Sequence, residues 1–470
     1  MRYDWNQYAD LVQGKLDGLK VPGAAVCVSD DSGILFARGF GYCDSGRRHP
    51  VSPDTIFGIA SMSKSITCLA AALLEQEGRL SLDDPVSKYL PAFRLPGVPR
   101  ESVLVRHLCE HRTGLPPLPT LSWSMAWNTP VEPWRESAVM RIRSHSGSKV
   151  QTIDDIIEYI AAGQGYRLLG APGEYMSYSN DGYALLSSVI DAAAGESLES
   201  YADRRIFAPL GMSRTTFDIG RAQGMGNITS LFAWEGERLH STDHWDVAPP
   251  YRGCGWVKST ATDMCRYYLS LSRNGRHHGR QLWPQSCVER VIGRGFAELP
   301  QGVYCFGLNK RLFEDVAICE HSGGLTGVSS QGGFVKDGAF AVTVLTNLSG
   351  ISCAPISNAA FNLWLGLPMQ AGHSWLSPRT EGVEDPAFYA GEFVSLEELD
   401  EALKVTADAA GQLWGHGEKG AERLLFCGGS VFTPEGTGKL PPATALRFLQ
   451  RGGECWGVAV GSRIYQKKAE

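Results

Sequence analysis

Ser61 and Lys64 are a serine and a lysine three residues apart, a pair whose types and spacing could do covalent chemistry. They stand at the start of a segment in which apolar residues recur at helical spacing as far as Gly78. In the first turn of a helix both side chains would lie on one face, near N–H groups that carry partial positive charge. A hydroxyl there could attack a carbonyl carbon while the amine takes its proton and a backbone N–H stabilises the oxyanion. The same spacing also fits a polar cap followed by a surface lysine.

Tyr178 and Asn180 form a second polar group, located just before a predicted helix over residues 181–193. Side chains on a turn before a helix can project into a cleft. A tyrosine beside a lysine ammonium ionises more readily and can act as a general base, and an asparagine can bind an amide through both donor and acceptor. The alternative is that Asn180 or Asp181 caps the helix while Tyr178 is half-buried.

His321, Gly323 and Gly324 form a third group, surrounded by strand-like runs at 317–319, 332–335 and 340–346. Glycines at a strand edge allow a substrate backbone to come close, so we predict that Gly323 and Gly324 bind substrate. His321 could donate to a developing charge or relay a proton. A hairpin turn with a hydrogen-bonded histidine is the alternative.

Together these groups resemble the active-site motifs of the penicillin-recognising serine hydrolases. The resemblance rests on Ser61-x-x-Lys64, Tyr178-x-Asn180 and His321-x-Gly323 occurring in that order, and it extends over roughly residues 5–365. More narrowly, the chain resembles the branch that holds class C β-lactamases, D-alanyl-D-alanine carboxypeptidases, D-aminopeptidases and esterases, known as the peptidase S12 type.

The resemblance implies a role for each residue. Ser61 would be the nucleophile, Lys64 would lower its proton affinity, and Tyr178 would share the base role and pass the proton to the leaving group. Asn180 would bind the acyl side chain of the substrate. The amides of Ser61 and Gly324 would form the oxyanion hole.

The third motif departs from that of β-lactamases, which usually carry Lys-Thr-Gly where this chain has His321, Ser322 and Gly323. Histidine is common at this position in D-aminopeptidases, D-amino-acid amidases and esterases. We therefore predict an amidase or peptidase that forms an acyl-enzyme with small or D-configured peptide substrates. A carboxylesterase or transesterase, a peptide cyclase that works by aminolysis, a β-lactamase, and a non-enzymatic penicillin-binding sensor or scaffold are the alternatives.

The elements that must position these groups predict two domains. Residues 1–366 are expected to form an α/β (α+β) domain, an antiparallel sheet flanked by helices, with an all-helical subdomain implied by the resemblance. Residues 367–386 are a predicted linker. Eight short β-type runs between 388 and 466, interrupted by glycines, predict a small antiparallel barrel over 387–470, which resembles a lipocalin-like domain.

Residues 116–148 interrupt the helical pattern of the first domain. They are rich in proline and tryptophan, and they are too long and too aromatic for a simple connector. The sequence leaves open whether this insertion is a binding loop or a surface segment packed on its own tryptophans.

Composition excludes several functions. A net charge of -6 over 470 residues gives no electrostatic case for nucleic acid. No apolar run is long enough for a membrane span or a signal peptide, and the 12 scattered cysteines favour reduced thiols, so we expect a cytoplasmic protein. We expect neither cofactor nor metal, although His107 and His111 fit a zinc-peptidase pattern. A homo-oligomer is left open.

Overall fold

The computed structural model describes the chain except for residues 1–2, 147–148, 294, 300–301, 375, 398–401, 418, 437–439, 441–444 and 469–470. The α-helices are α1 (Trp5–Gly18), α2 (Ser63–Gln76), α3 (Val86–Tyr89), α4 (Val105–Cys109), α5 (Thr120–Asn128), α6 (Glu136–His145), α7 (Ile153–Ala162), α8 (Asn180–Ala194), α9 (Leu198–Ala202), α10 (Ala208–Leu210), α11 (Ile219–Gly224), α12 (Arg252–Gly255), α13 (Ala261–Ser272), α14 (Gln285–Ile292) and α15 (Ala354–Leu365).

Strands of the first part of the chain are β1 (Gly23–Asp30), β2 (Gly33–Gly41), β3 (Phe57–Gly58), β4 (Leu231–Glu235), β5 (Arg238–Thr242), β6 (Lys258–Ser259), β7 (Arg276–His277), β8 (Arg280–Gln281), β9 (Phe296–Leu299), β10 (Gly302–Tyr304), β11 (Asn309–Phe313), β12 (Val316–Leu325), β13 (Val328–Val335) and β14 (Phe340–Thr346). Those of the last part are β15 (Gly391–Val394), β16 (Ala402–Ala407), β17 (Leu413–Gly417), β18 (Gly420–Gly428), β19 (Val431–Pro434), β20 (Leu446–Arg451), β21 (Glu454–Val460) and β22 (Arg463–Lys467).

An eight-stranded antiparallel sheet organises the first part of the chain, in the order β2-β1-β14-β13-β12-β11-β10-β9. Strand β1 shows why the sheet is buried on both sides. Its Ala25 and Cys27 belong to the core shared with α2, α8 and α13, whereas Val26 and Val28 belong to the core shared with α1 and α15. The alternation of side chains along a strand therefore feeds two separate cores, and the sheet lies between two helical layers.

The helix α2 is the centre of the helical layer. Its residues from Ser63 to Leu74 are all buried, as expected of a helix that is apolar around most of its surface. It packs against α8, α12 and α14, and the short 3₁₀ turn Ala60–Met62 that precedes it packs against β12. This arrangement brings the three sequence motifs to one place.

The C-terminal part is a closed antiparallel barrel of the strands β15 to β22, with β15 and β22 completing the ring. Each of the eight predicted β-type runs overlaps one of its strands. The predicted fold class, an antiparallel sheet with flanking helices followed by a small barrel, is confirmed.

The insertion at residues 116–148 holds more regular structure than its sequence indicates. It contains α5, a 3₁₀ turn at Pro133–Arg135 and α6. Each piece is short, and prolines stand at the starts of α5 and of the 3₁₀ turn. Because prolines divide the segment, no apolar period is sustained long enough to be recognised as a helix.

Candidate active site

Ser61 lies in the 3₁₀ turn immediately before α2, so its predicted position near a helix start is met although α2 itself begins at Ser63. The preceding residue, Ala60, adopts a left-handed φ of 45°, which is unusual for a residue with a side chain. Two hydrogen bonds of Ser63 hold this turn, one donated to the Ala60 carbonyl at 2.7 Å and one accepted from the Val257 N–H at 3.2 Å. The backbone therefore fixes the serine hydroxyl at the edge of the helix.

The side chain of Lys64 is fully buried behind this serine. Its Nζ donates to Ser61 Oγ at 3.0 Å, to Asn180 Oδ1 at 3.0 Å and to the Cys254 carbonyl at 2.8 Å. An ammonium has three hydrogens, and these three acceptors use all of them. The lysine is thus held in one geometry between the predicted nucleophile and the predicted substrate-binding asparagine.

Tyr178 lies next to Lys64, two residues before the first residue of α8. The Lys64 Nζ is 4.8 Å from the centre of its ring, and the guanidinium carbon of Arg463 is 4.7 Å from it. Positive charge close to an aromatic ring is attracted to it, and it would also stabilise negative charge that develops on the phenol oxygen.

His321 lies within β12 and ends a chain of hydrogen bonds. The Nδ1 of His111 accepts from the Ser179 N–H at 3.0 Å, so its Nε2 carries the hydrogen and donates to the Tyr304 hydroxyl at 3.1 Å. The Nδ1 of His321 contacts the carbonyl oxygen of Ser322, which can only accept, so its Nε2 accepts from the Tyr304 hydroxyl at 3.3 Å. The partners of each ring therefore assign one neutral tautomer to each histidine.

Electrostatics agree with that assignment. Burial and the nearby charge of Lys64 lower the pKa of His321 to about 3. The same two causes hold the pKa of His111 well below its usual value. At neutral pH His321 is an uncharged group beside the site, unlike the lysine usual at this position in β-lactamases.

Gly323 and Gly324 occupy neighbouring positions of β12 with opposite surroundings. A Cβ atom on Gly323 would overlap the Ile59 carbonyl oxygen and the Ser330 hydroxyl, so the absence of a side chain lets the strand approach the turn that holds Ser61. A Cβ atom on Gly324 would meet nothing within 4 Å. Gly324 therefore borders open space, whereas Gly323 closes the contact between strand and turn.

Two residues of the barrel also enter the site, and neither was predicted from the sequence. Glu397, between β15 and β16, accepts a hydrogen bond from Asn180 Nδ2 at 3.1 Å on its Oε1. Arg463, at the start of β22, forms a bidentate ion pair with the same carboxylate, and one of the two contacts is 3.0 Å long. The charge of Glu397 and its hydrogen bond outweigh burial, so the pKa of Arg463 is raised. The barrel thus contributes a charged pair directly beside Asn180 and Tyr178.

The backbone couples the barrel to the same place. The N–H of Tyr178 donates to the Ser462 carbonyl at 2.8 Å, and the N–H of Ile464 donates to Ser177 Oγ at 3.1 Å. No local pattern in the sequence marks these positions, because Arg463 falls in an ordinary β-type run and Glu397 lies outside every predicted run. Only the packing of the two parts of the chain reveals them.

The zinc alternative required His107 and His111 to share one helix face. The helix α4 ends at Cys109, and His111 has a left-handed φ of 57°, so the shared face that the spacing suggests is not formed. Both ring nitrogens of His111 take part in the hydrogen-bond chain described above. Among the residues that the structure describes, no group of three or more His, Cys, Asp or Glu side chains is placed to hold a metal ion.

The structure brings Ser61, Lys64, Tyr178 and Asn180 to the end of β12 that carries His321, Gly323 and Gly324. This fold and this cluster are those of a serine hydrolase that works through an acyl-enzyme. A family model described as Beta-lactamase matches residues 8–356, well over half of the chain. The chain therefore belongs to the β-lactamase family.

One relative of known name agrees with this assignment. The chain is 32% identical over 260 residues to Penicillin-binding protein 4* of Bacillus subtilis (strain 168), a match that covers 52% of this chain and 51% of that protein. The chain thus spans about half the length of this relative.

Two solved structures share the fold. A penicillin-binding protein homologue from Pyrococcus abyssi, described as octameric, superposes with a TM-score of 0.68 at 23% identity over 99% of this chain and 100% of that one. The D-amino acid amidase from Ochrobactrum anthropi SV3 superposes with a TM-score of 0.58 at 22% identity over 74% of this chain and 92% of that one.

Within the described residues, no helix is both long enough and apolar enough to cross a bilayer.

Proposed function

We propose that this serine hydrolase is an amidase or peptidase that acts on small or D-configured aminoacyl substrates with a free amino group. The observation that carries the proposal is the position of the Glu397 carboxylate. It accepts from the Nδ2 of Asn180 at 3.1 Å, whereas the Oδ1 of the same asparagine accepts from Lys64 at 3.0 Å. Both ends of the Asn180 amide are therefore engaged by the protein itself.

An acylated amino group on the substrate would need the Nδ2 of Asn180 for its carbonyl oxygen. One of the two hydrogens on Nδ2 is already directed at Glu397, so the carbonyl oxygen of an acylated substrate could accept only the other hydrogen and would lie beside the repelling Glu397 carboxylate. A free ammonium group only donates hydrogen bonds, so it requires an acceptor instead of a donor. The Glu397 carboxylate offers that acceptor at the same place, which favours aminoacyl amides and short peptides.

The chemical steps follow from the contacts of Lys64 and Tyr178. The Lys64 ammonium donates to Ser61 Oγ and stabilises negative charge on it, but a charged ammonium cannot also take the serine proton. We assign that role to Tyr178, whose ring lies between the charges of Lys64 and Arg463. After Ser61 attacks the carbonyl carbon, Tyr178 would return the proton to the leaving amine, and water would then release the acyl group.

The oxyanion site is assigned to the N–H groups of Ser61 and Gly324, at the contact between the 3₁₀ turn and β12. Burial and the charge of Lys64 lower the pKa of His321 to about 3, so it lies beside this site as a neutral group whose two ring nitrogens are already hydrogen-bonded. A neutral histidine gives no ion pair for a carboxylate that a β-lactam carries. This supports an amidase over a β-lactamase.

Stereochemistry, assembly and location are the less direct parts of the proposal. The similarity to a D-amino acid amidase supports D-configured substrates, and the octameric homologue supports a homo-oligomer. All 12 cysteines are free, and all except Cys427 are buried, which supports the reducing cytoplasm. Light scattering of the purified chain tests the assembly, and a monomer would contradict it.

The experiment for the substrate class is a turnover panel. It contains D- and L-aminoacyl amides, their N-acetyl counterparts, short esters and a cephalosporin reporter, with Ser61→Ala as the inactive control. We expect the free D-aminoacyl amides to give the highest kcat/KM. Turnover confined to esters, or to the cephalosporin, would replace the proposal by an esterase or a β-lactamase.

A further inference from the structure

A cavity of about 250 Å³ lies between the insertion and the barrel. The insertion supplies most of its wall through α5, α6 and the residues between them, and the barrel supplies Glu397. Its apolar lining includes Trp123, Met125, Ala126, Val131, Val139 and Ile142. A cavity of this size, lined mainly by apolar side chains, suits an apolar substituent of the size of an amino-acid side chain.

The ionised side chains at the edge of the cavity are held by partners. The Glu132 carboxylate lies 2.8 Å from His244 Nδ1, and Arg135 forms an ion pair with Asp246 at 3.2 Å. Arg141 at the same edge is engaged as well. Because these three charged side chains already have partners, they do not favour the binding of a charged ligand in the cavity.

The position of the cavity connects it to the proposed chemistry. Glu397 lines it and also accepts the hydrogen bond from Asn180, whose Oδ1 is bonded to Lys64. Because the amino nitrogen of an aminoacyl group is bonded to its α-carbon, a substrate whose amino group lies at Glu397 would have its α-carbon close to this cavity. The side chain on that carbon could then occupy the apolar cavity.

We propose that this cavity is the specificity pocket for the side chain of the aminoacyl group, and that it selects bulky apolar side chains such as phenyl or isobutyl. The inference rests on the proposed function, because it assumes an aminoacyl substrate. It gives the insertion at 116–148 a role in binding, which the sequence left open.

The walls of the pocket are fixed before any substrate arrives. The ring of Trp123 packs edge-on against Tyr159, with ring centres 5.2 Å apart. Ser124 Oγ donates to the Val150 carbonyl at 2.8 Å, and Arg143 Nε donates to the Ala126 carbonyl at 2.8 Å, joining α5 to α6. A pocket held in this way can discriminate by shape, because a ligand that does not fit cannot easily reshape it.

The test fills the pocket and compares two substrates. Val139 on α6 lines the cavity, whereas its neighbour Met140 is 50% exposed. We compare Val139→Phe with the matched control Met140→Phe, measuring kcat/KM for D-phenylalaninamide and D-alaninamide. Val139→Phe should lower the value for D-phenylalaninamide by about tenfold or more and that for D-alaninamide by less than about twofold. Met140→Phe should leave both substrates unchanged.

The outcomes separate the pocket from the proposed function. If Val139→Phe lowers both amides equally, or neither, the pocket assignment is overturned while the amidase proposal stands. If the wild-type protein turns over neither amide, the proposed function fails and the pocket with it. Should Val139→Phe not fold, Ala126→Val fills the same cavity with two added methyl groups and must change the same substrate ratio.

Discussion

Replacing Glu397 by glutamine should change which substrates the enzyme accepts. The carboxylate accepts from Asn180 Nδ2 at 3.1 Å and from two nitrogens of Arg463. A carboxylate offers about four acceptor positions, so about one remains for a substrate ammonium. The variant Glu397→Gln keeps the shape of the side chain and one oxygen acceptor, but it removes the negative charge.

The size of the effect follows from the lost charged hydrogen bond. Such a bond contributes about 1.5–3 kcal/mol, and each 1.36 kcal/mol corresponds to about tenfold in rate. Glu397 is only 13% exposed, so water screens the interaction little. We therefore expect kcat/KM for a D-aminoacyl p-nitroanilide with a free amino group to fall by about 10- to 150-fold. The N-acetylated substrate should lose nothing, because the variant removes the negative charge that would repel its acyl oxygen.

The barrel itself offers a matched control. Glu392 in β15 forms an ion pair with Lys468 at 3.2 Å, and the two side chains are 44% and 62% exposed. Glu392→Gln should leave both substrates unaffected, since surface pairs contribute little. The assay follows release of p-nitroaniline from the free and the N-acetylated substrate by all three proteins. Equal losses for the two substrates in Glu397→Gln would refute the reasoning.

Three other changes test separate parts of the site. Tyr178→Phe removes the proposed base but keeps the ring, so kcat/KM should fall by roughly a hundredfold while thermal stability stays unchanged. Near-normal turnover of this variant would contradict the assignment of Tyr178 as the base. His321 has a pKa of about 3 when folded and 6.5 as the reference value, so below about pH 6.5 only the unfolded chain takes up its proton and stability falls as the pH drops. Between pH 6.5 and 5, His321→Gln should therefore lose about 2 kcal/mol less than the wild type in urea unfolding, whereas equal losses would show that His321 titrates normally. Gly323→Ala should lower the free energy of unfolding by about 1–3 kcal/mol, because its Cβ would clash with Ile59. Gly324→Ala should change it little, because open space surrounds that position. The reverse order of the two variants in thermal melting would be inconsistent with the packing of β12.

The predicted site residues come together in the structure because their positions depend on local rules. Ser61 and Lys64 share a helix start, and Tyr178 and Asn180 stand where an extended segment meets α8. The barrel strands could also be predicted from the sequence, because glycines separate short β-type runs. The number of these runs equals the number of strands. In each case a pattern over a few residues determines the structure.

The parts that the sequence did not predict depend on contacts between distant residues. Glu397 bonds to Asn180 across 217 positions of sequence, and no local pattern tells which barrel turn faces the cleft. His111 was considered as a zinc ligand, whereas its hydrogen bond to Tyr304 spans 193 positions and belongs to the chain that ends at His321. The helices α5 and α6 were missed because prolines divide the insertion into pieces too short for a periodic signal.

The central claim is that Ser61 forms the covalent acyl-enzyme, and intact-protein mass spectrometry after treatment with a fluorophosphonate tests it directly. Ser65 is the matched control, because it lies fully buried in the first turn of α2, four residues after Ser61, with its hydroxyl bonded to the Met62 carbonyl. The wild type and Ser65→Ala should each gain the mass of one phosphonyl group, and Ser61→Ala should gain none. An adduct that persists in Ser61→Ala, or a wild-type protein that stays unmodified, would contradict the account.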